Sequence, residues 1–393
     1  MVEKKGAGQS RHQVTIQPPN PSSLRDLTIR RPPLPALTGI RVFAAFYVVL
    51  FHSRLMQALG SHGFVALSNL VSNGGLAVVL FFLLSGFILS YTYQGHIRQL
   101  WGKRRFWEAR VARVWPLYLV SLLLSSVVNH TTPRPLAAVA TVLMVQAWNP
   151  FQTGMAGAWN FVCWTLSTEA LFYLLFPYLQ GWLEDRSTVF QGAFLAVQLA
   201  IATVCKTSAH AYGYPELGFW AHLPLAVIHI PEFFIGVSLG NLYIAWRAAG
   251  GGNPNQQQLL PFSTGVWTSM ASLGCLFLLC HRPGFSTSFI ALTFAALVFG
   301  LAAESSPVQR FLSTRLLLVG GQISYGIYLL QWPVKTEAKL LSTRLHIYSE
   351  AGQFALNLIL LTVISSVAFY LVEEPARRVV RSAFLRLERR NGH

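Results

Sequence analysis

The sequence has few charged residues, and acidic residues are the scarcest of them. Only 11% of its 393 residues are charged, with 14 Asp and Glu against 30 Lys and Arg. An ordinary soluble domain carries about 25% charged residues, so this chain has too few to cover a surface that faces water. The scarcity of charge excludes an ordinary soluble enzyme and predicts that lipid is the main solvent of the protein.

Cysteine is also rare. The four cysteines, Cys163, Cys205, Cys275 and Cys280, lie in or beside apolar runs, and none forms a CxxC or Cys/His cluster. Without such spacing the common zinc and dithiol motifs are excluded. We therefore expect free thiols, no metal site and no resident cofactor.

Long hydrophobic runs are what the sequence does contain, since 53% of its residues are hydrophobic. About 20 apolar residues in a helix cross the hydrocarbon of a bilayer. The runs predict an all-α protein, a polytopic transmembrane helical bundle of about ten spans. The predicted spans are 37–56, 75–94, 112–128, 163–180, 189–205, 219–246, 262–280, 285–303, 316–333 and 354–372.

The distribution of Lys and Arg between these runs predicts the topology. An eleventh apolar segment, 136–148, is short for a span. If it does not cross, 22 Lys and Arg lie on the side of both termini and seven on the other; if it crosses, the split is 17 against 12. Because cytoplasmic loops retain basic residues, we predict that both termini are cytoplasmic, that 136–148 is re-entrant or interfacial, and that the protein lies in the plasma (inner) membrane. The same clustering argues against a nucleic-acid partner.

The positions of the apolar runs divide the chain into three predicted regions. Residues 1–36 are polar, basic and rich in proline, a composition typical of a disordered cytoplasmic tail. Residues 37–375 form the predicted transmembrane domain, because no stretch between the apolar runs is long enough for a separate soluble domain. Residues 376–393 form a second basic cytoplasmic tail.

Ionisable residues within the predicted spans mark a candidate site, since a charge at mid-membrane costs about 2.5–3.5 kcal/mol on insertion scales. Arg41 and His52 share the first span, and 11 residues place them on one helix face about 16 Å apart. Glu169 is predicted at nearly the depth of His52. His52 is either a hydrogen-bonded buried imidazole or a general base; Glu169 either pairs two helices or orients that ring.

Two further pairs of ionisable residues each have two possible roles. His229 and Glu232, three residues apart, share a helix face, and a structural pair is the simpler interpretation. Arg110 and Arg113 lie one turn apart at the start of a predicted span. They are either topology determinants that contact anionic lipid, or a guanidinium pair for the phosphates of a cytoplasmic donor such as coenzyme A.

Seven short motifs occur in order across residues 37–375. They are Leu37–Arg41 with His52; Leu80–Phe87; Phe106 with Arg110, Arg113, Pro116 and Tyr118; Trp164–Glu169 with Phe172 and Tyr173; Pro231–Phe233 with Gly236; Ile323–Leu329; and Tyr370 with Glu373 and Pro375. In these motifs the chain resembles the acyltransferase family 3 membrane proteins, which include O-antigen, peptidoglycan and macrolide O-acyltransferases.

The sequence departs from the family pattern at four positions. Thr38 and Ala170 stand where acidic residues are usual, Gln331 replaces a histidine before Trp-Pro, and His229 replaces a frequent arginine. We also expect no further extracytoplasmic hydrolase domain after the last span. The departures leave the acceptor open.

The resemblance implies an integral membrane O-acyltransferase. It would move an acetyl or other short acyl group from cytoplasmic acyl-CoA, a co-substrate, to a hydroxyl of a carbohydrate or glycosylated small molecule. By resemblance His52 is the general base, either on the acceptor hydroxyl or through an acyl-enzyme step, and Glu169 orients or charges it. The substrate-binding residues expected from the resemblance are Arg41, Arg110, Arg113, Ser85 and Glu232. The competing class is a proton-coupled membrane transporter or exporter, which intramembrane His, Arg and Glu also suit.

Overall fold

The fold is known from a computed structural model. It describes residues 31–53, 63–98, 102–130, 133–148, 157, 159–211, 223–250, 265–281, 285–379 and 382. Within these ranges the chain is helical and contains no β-strand, which confirms the all-α prediction. Residues 1–30 and most of 380–393 lie outside the described residues, so the predictions for the two tails fall largely outside them too.

The described part of the chain contains fourteen α-helices. They are α1 (Pro35–Phe51), α2 (Val65–Ser72), α3 (Ala77–Tyr93), α4 (Gly102–Asn129), α5 (Pro135–Val142), α6 (Trp164–Leu183), α7 (Thr188–Ala211), α8 (Leu225–Ile228), α9 (Ile230–Ala248), α10 (Val266–Leu279), α11 (Phe285–Ala303), α12 (Pro307–Leu312), α13 (Arg315–Arg344) and α14 (Glu350–Ala368).

Six helical segments of the described chain are long and apolar enough to cross a membrane by length and composition. They are Val65–Tyr93, Gly102–Asn129, Phe161–Leu183, Thr188–Cys205, Leu225–Ala248 and Glu350–Val379. Three shorter apolar helices accompany them, Pro35–Phe51, Val266–Leu279 and Phe289–Ala303. Each of the ten predicted spans overlaps a described helix. The count of ten spans and the cytoplasmic position of the termini remain predictions.

Two predicted boundaries are wrong. Segment 95–113 is not a loop throughout, because α4 begins at Gly102 and carries its basic residues on helical turns. Arg104 bonds to Glu108 at 2.7 Å one turn later, a pairing that supports a helix. Likewise, α13 continues past residue 333 to Arg344.

Segment 136–148 forms only the eight-residue α5 and a following turn. This helix is too short to cross a bilayer.

Helices α3 and α9 approach each other through glycine. A Cβ added to Gly86 would fall 2.2 Å from the carbonyl oxygen of Phe233, and one added to Gly236 would fall 2.1 Å from that of Leu83. Small residues permit this backbone contact, which is a common way for helices to associate in membranes. The contact also fixes the rotation of α3 and therefore the direction of Ser85, the residue before Gly86.

Helix α1 packs on α12 and α13 in the same way. A Cβ on Gly39 would lie 1.8 Å from the carbonyl oxygen of Leu312, and one on Gly321 would lie 2.0 Å from that of Thr38. α13 in turn packs along α14. This arrangement places the polar residues of α1, Arg41 and His52, beside α13 and its polar positions.

The turn before α4 is tied to the C-terminal end of α6. The backbone N–H of Gly95 donates to Glu184 Oε1 at 2.9 Å, and Arg98 donates to Asp185 Oδ1 at 2.6 Å. The Arg98 hydrogen bond lowers the pKa of the Asp185 carboxyl from its ordinary value. These bonds fix the start of α4, the helix that carries Arg110 and Arg113.

Candidate functional site

A cavity lined by three arginines lies between five helices, and we call it the arginine cavity. It encloses about 910 Å³, including its open mouth. Its polar lining residues are Arg41 from α1, Ser85 from α3, Arg110 and Arg113 from α4, Thr165, Glu169 and Tyr173 from α6, and Ser324, Tyr325 and Tyr328 from α13. Five of the seven sequence-predicted site residues therefore meet in one cavity.

Glu169 joins α6 to α3 in the wall of the arginine cavity. Its Oε1 accepts a hydrogen bond from the Ser85 hydroxyl at 3.1 Å and another from the Tyr173 hydroxyl. It also interacts electrostatically with Arg41 and Arg110. The charged residues of the lining are three arginines and one glutamate, so the lining keeps a net positive charge suited to an anionic ligand.

Aromatic rings surround the guanidinium of Arg110. Its Cζ lies 5.8 Å from the ring centroid of Tyr93, 5.9 Å from that of Phe106 and 6.0 Å from that of Tyr173. Cation–π contacts of this kind hold a guanidinium in place without using its N–H donors. Among the described residues, its hydrogen bond is a long one of 3.4 Å to the Tyr93 hydroxyl, so most of its donors can turn to a ligand.

A second acidic group lies beside these arginines and was not singled out from the sequence. Glu373 is buried and accepts a hydrogen bond from Arg377, and it interacts electrostatically with Arg41 and Arg113. A π-helical turn over Phe369–Glu373 interrupts the regular helix just before it, and such turns often occur at functional sites. The motif of Tyr370, Glu373 and Pro375 is the sequence signal that could have identified this residue.

His52 lines a different cavity, which we call the histidine cavity. It lies between α1, α13 and α14 and encloses about 930 Å³ with its mouth. It is lined by Val49, His52, Ser53, Gln331, Trp332, Lys335, Ala338, Lys339, Glu350, Gln353, Phe354 and Asn357. His52 directly follows the last residue of α1, and its imidazole packs against the rings of Phe161 and Trp332.

Aromatic and basic groups hold the end of α1 in place. The imidazole of His52 lies edge-on to the rings of Phe161 and Trp332, with centroids 5.6 Å and 6.3 Å away. The Lys335 ammonium donates to the carbonyl oxygen of His52 at 2.6 Å and lies 5.5 Å from the Trp332 ring centroid. The imidazole nitrogens are not used in these contacts.

The structure does not bring Glu169 and His52 together. Among the described residues, the hydrogen bonds of the Glu169 carboxylate go to Ser85 and Tyr173. The two cavities nevertheless approach each other along α13, because Tyr328 lines one and Gln331 the other. Three residues of helix separate these positions by about 4.5 Å along the axis. The Tyr328 hydroxyl is bonded to that of Thr165 at 2.8 Å at this boundary.

Glu232 lies outside the lining of both cavities. Its carboxyl is fully buried, and Oε1 lies 3.5 Å from Nδ1 of His229. The His229 ring in turn packs against the rings of Trp164 and Phe82. This environment favours the structural pair, and a role of Glu232 in substrate binding stays a prediction.

A third cavity, largely apolar, adjoins the arginine cavity and shares Arg110 and Tyr173 with it. Ala170, which stands where the family often has a glutamate, lines this third cavity. Within the described part of the chain, no three His, Cys, Asp or Glu side chains are grouped to hold a metal ion. The cysteines there form no disulfide with one another.

Comparison with known proteins decides the family. Residues 34–372 match the acyltransferase domain family, and the match includes every residue that lines the two cavities. The chain belongs to this acyltransferase family. Membership also decides between the two function classes that the sequence left open, in favour of an enzyme over a transporter.

Two curated relatives illustrate the breadth of the family. Acyltransferase MdmB of Streptomyces mycarofaciens is 27% identical over 374 residues, which cover 88% of this chain and 92% of that protein. O-acetyltransferase OatA of Staphylococcus aureus is 22% identical over 387 residues, which cover 91% of this chain and 60% of OatA. No solved structure matches the chain.

The chain is therefore an acyltransferase, and it transfers groups other than amino-acyl groups. Its long apolar helices, together with its membrane acyltransferase relatives, make it a multi-pass membrane protein. The comparisons name neither its donor nor its acceptor.

Proposed function

We propose that this acyltransferase moves an acetyl or other short acyl group from cytoplasmic acyl-CoA to a hydroxyl of a carbohydrate or a glycosylated small molecule. The observation that carries the proposal is the pair of cavities on α1. Arg41 lines the arginine cavity near one end of the helix, and His52 lines the histidine cavity at the other end.

The arginine cavity suits the phosphates of the donor. Guanidinium groups bind phosphate oxygens through two parallel hydrogen bonds, and Arg110 and Arg113 lie one turn apart on α4. Arg41 continues the positive lining on α1. Glu169, Ser85 and Tyr173 act here by fixing the wall of the cavity, since Glu169 has its described hydrogen bonds with the other two side chains.

An extended pantetheine arm then carries the thioester towards His52. Arg41 and His52 are separated by about 16 Å of helix rise, and the two linings come within one turn of each other at Tyr328 and Gln331. The arm would pass the bonded hydroxyls of Thr165 and Tyr328. On the predicted topology, the phosphates remain on the cytoplasmic side and the reaction takes place deeper in the plasma membrane.

His52 acts as the general base in this proposal. Its imidazole takes the proton of the acceptor hydroxyl while the hydroxyl oxygen bonds to the thioester carbonyl carbon. The carbon–sulfur bond breaks, and the departing thiolate of coenzyme A takes the proton back from the imidazolium. The products are the O-acyl ester and free coenzyme A, and no other reactant is required.

The direct test uses the full chain in lipid nanodiscs with radiolabelled acetyl-CoA and an extract of envelope glycans and secreted metabolites from the source organism. We expect label and an acyl mass shift in a glycan or glycosylated product. Inhibition by free coenzyme A should accompany transfer. Absence of transfer from acetyl-CoA and propionyl-CoA alike, with protein that remains folded, would refute the proposed donor.

A further inference from the structure

The histidine cavity has a chemical character different from that of the arginine cavity. Its buried lining is neutral, while the charged residues Lys335, Lys339 and Glu350 are all exposed. A neutral buried lining does not suit phosphates. It suits a neutral polar group that enters from the opposite end of α1.

Two amide side chains in this lining have unused acceptors. Gln331 of α13 is only 3% exposed and Asn357 of α14 only 8%. Neither Gln331 Oε1 nor Asn357 Oδ1 has a hydrogen-bond partner within the described residues. Buried polar atoms are almost always hydrogen-bonded in native proteins. Two such oxygens in one cavity are therefore suited to ligand hydroxyl groups, which can donate to them.

Gln331 is held so that its oxygen remains available. Its Nε2 donates to the carbonyl oxygen of Tyr328, one turn earlier on α13, at 2.7 Å. That bond fixes the orientation of the amide. A ligand hydroxyl that donates to Oε1 would thus meet a side chain that is already in position.

Trp332 lines the same cavity next to the proposed base, and Phe161, which is outside the lining, stacks on it. The rings of Phe161 and Trp332 are stacked at 5.5 Å with an interplanar angle of 30°, and both lie edge-on to the His52 ring. Binding sites for small molecules commonly combine aromatic walls with a few placed polar groups. A sugar ring matches this combination, because it has an apolar face and hydroxyls at its edge.

We infer that the histidine cavity binds the acceptor through a neutral, polyhydroxylated ring, with Gln331 and Asn357 as specificity-determining residues that hydrogen-bond the hydroxyls neighbouring the one acylated. This inference rests on the proposed function for the reaction itself. It adds that Gln331 and Asn357 select the acceptor and that the ring they select is neutral and polyhydroxylated. It also gives a role to Gln331 at the position where the family usually has histidine.

The test measures the KM for the acyl donor and the KM for the acceptor separately. The full chain in nanodiscs is supplied with radiolabelled acetyl-CoA and with methyl glycosides of neutral hexoses, 6-deoxyhexoses and N-acetylhexosamines, against cyclohexanol and octanol as alcohols without a sugar. The variants Gln331→Met and Asn357→Leu keep side-chain size and remove the amide. Gln322→Met is the matched control, since Gln322 is exposed on the same helix as Gln331.

We expect label in at least one glycoside. The KM for that glycoside should rise about tenfold or more in each cavity variant, as expected when one hydrogen bond of about 1.4 kcal/mol is lost. The KM for acetyl-CoA should stay within about twofold, and the control should match the wild type. For the wild type, a deoxy glycoside that lacks the contacted hydroxyl should be a poorer acceptor than the parent glycoside. The variant that lacks the matching amide should accept the two glycosides equally well.

A second variant covers the case in which removing the amide prevents folding. Gln331→His keeps a hydrogen-bonding side chain, and it should change the order of preference among glycosides at an unchanged KM for acetyl-CoA. The inference is overturned if label enters only cyclohexanol or octanol, or if the foldable variants all keep the wild-type glycoside KM and preference. In both cases acyl-CoA remains the donor. If the wild type transfers label to nothing, including the envelope extract, the proposed function itself fails.

Discussion

Ser85 and Glu169 are joined by a 3.1 Å hydrogen bond that links α3 to α6 across the arginine cavity. The same carboxylate oxygen also accepts the Tyr173 hydroxyl. Two motifs that lie about 80 residues apart in the sequence therefore meet at one oxygen. This contact explains why a serine occurs before the closely packed Gly86, because the glycine contact orients the serine towards the glutamate.

The first prediction concerns this shared oxygen. Ser85→Ala and Tyr173→Phe each remove one hydrogen bond to a carboxylate, and each should lower kcat/KM for the acyl donor about tenfold. The double variant should lose less than the product of the two, because both bonds position the same group. Steady-state kinetics of the four proteins measures this. Tyr178→Phe, at an exposed tyrosine of the same helix, should change nothing. Strictly multiplicative losses would contradict a shared role.

The second prediction concerns Arg110 and Arg113. Replacement by lysine keeps the charge but removes the planar pair of donors that matches phosphate. We expect each change to raise the KM for acyl-CoA about tenfold or more, with little effect on the KM for the acceptor. Arg104→Lys on the same helix is the control, because the Arg104 side chain is 65% exposed. Unchanged donor KM in both variants would show that the phosphates bind elsewhere.

The third prediction concerns the contact between α3 and α9. Gly86→Ala or Gly236→Ala places a Cβ within 2.2 Å of a backbone carbonyl oxygen, so the helices must separate. We expect a loss of about 1–3 kcal/mol in the free energy of unfolding, seen as a lower melting temperature in detergent. Gly192→Ala, on a helix where an added Cβ meets nothing within 4 Å, should be neutral or slightly stabilising. Equal melting temperatures for all three variants would exclude the close contact.

Much of the helical architecture could be predicted from the sequence, because long apolar runs have few alternatives to a helix in lipid. Each predicted span overlaps a described helix. The boundaries of α4 and α13 could not be predicted from hydropathy, because those helices continue into polar sequence through residues with good helix propensity and favourable charge pairs.

The site was predictable in composition but not in its division into two cavities. Position along a helix gives the depth of a residue, and the depth argument placed Glu169 near His52. It says nothing about which neighbouring helices a side chain faces. Packing of α3 against α9 and of α1 against α13 sends the two residues to different cavities. Glu373 was missed for a related reason, since a π-helical turn brings it to the arginines.

The position of Gln331 shows what a departure from a family pattern can mean. From the sequence, the absence of the usual histidine leaves the acceptor unknown. In the structure the residue lines the histidine cavity beside His52 and has an available amide oxygen. The departure therefore falls where the acceptor would be selected, while the arginines that would bind the donor are kept.

The central claim is that the donor binds in the arginine cavity while the chemistry takes place at His52. The decisive measurement compares acyl-CoA binding and single-turnover transfer in His52→Ala, with His281→Ala at an exposed histidine as control. Loss of a general base costs about 10²–10⁴ in rate, so we expect transfer to fall by at least a hundredfold while the Kd for acyl-CoA stays at the wild-type value. Transfer at the wild-type rate by His52→Ala would contradict the account.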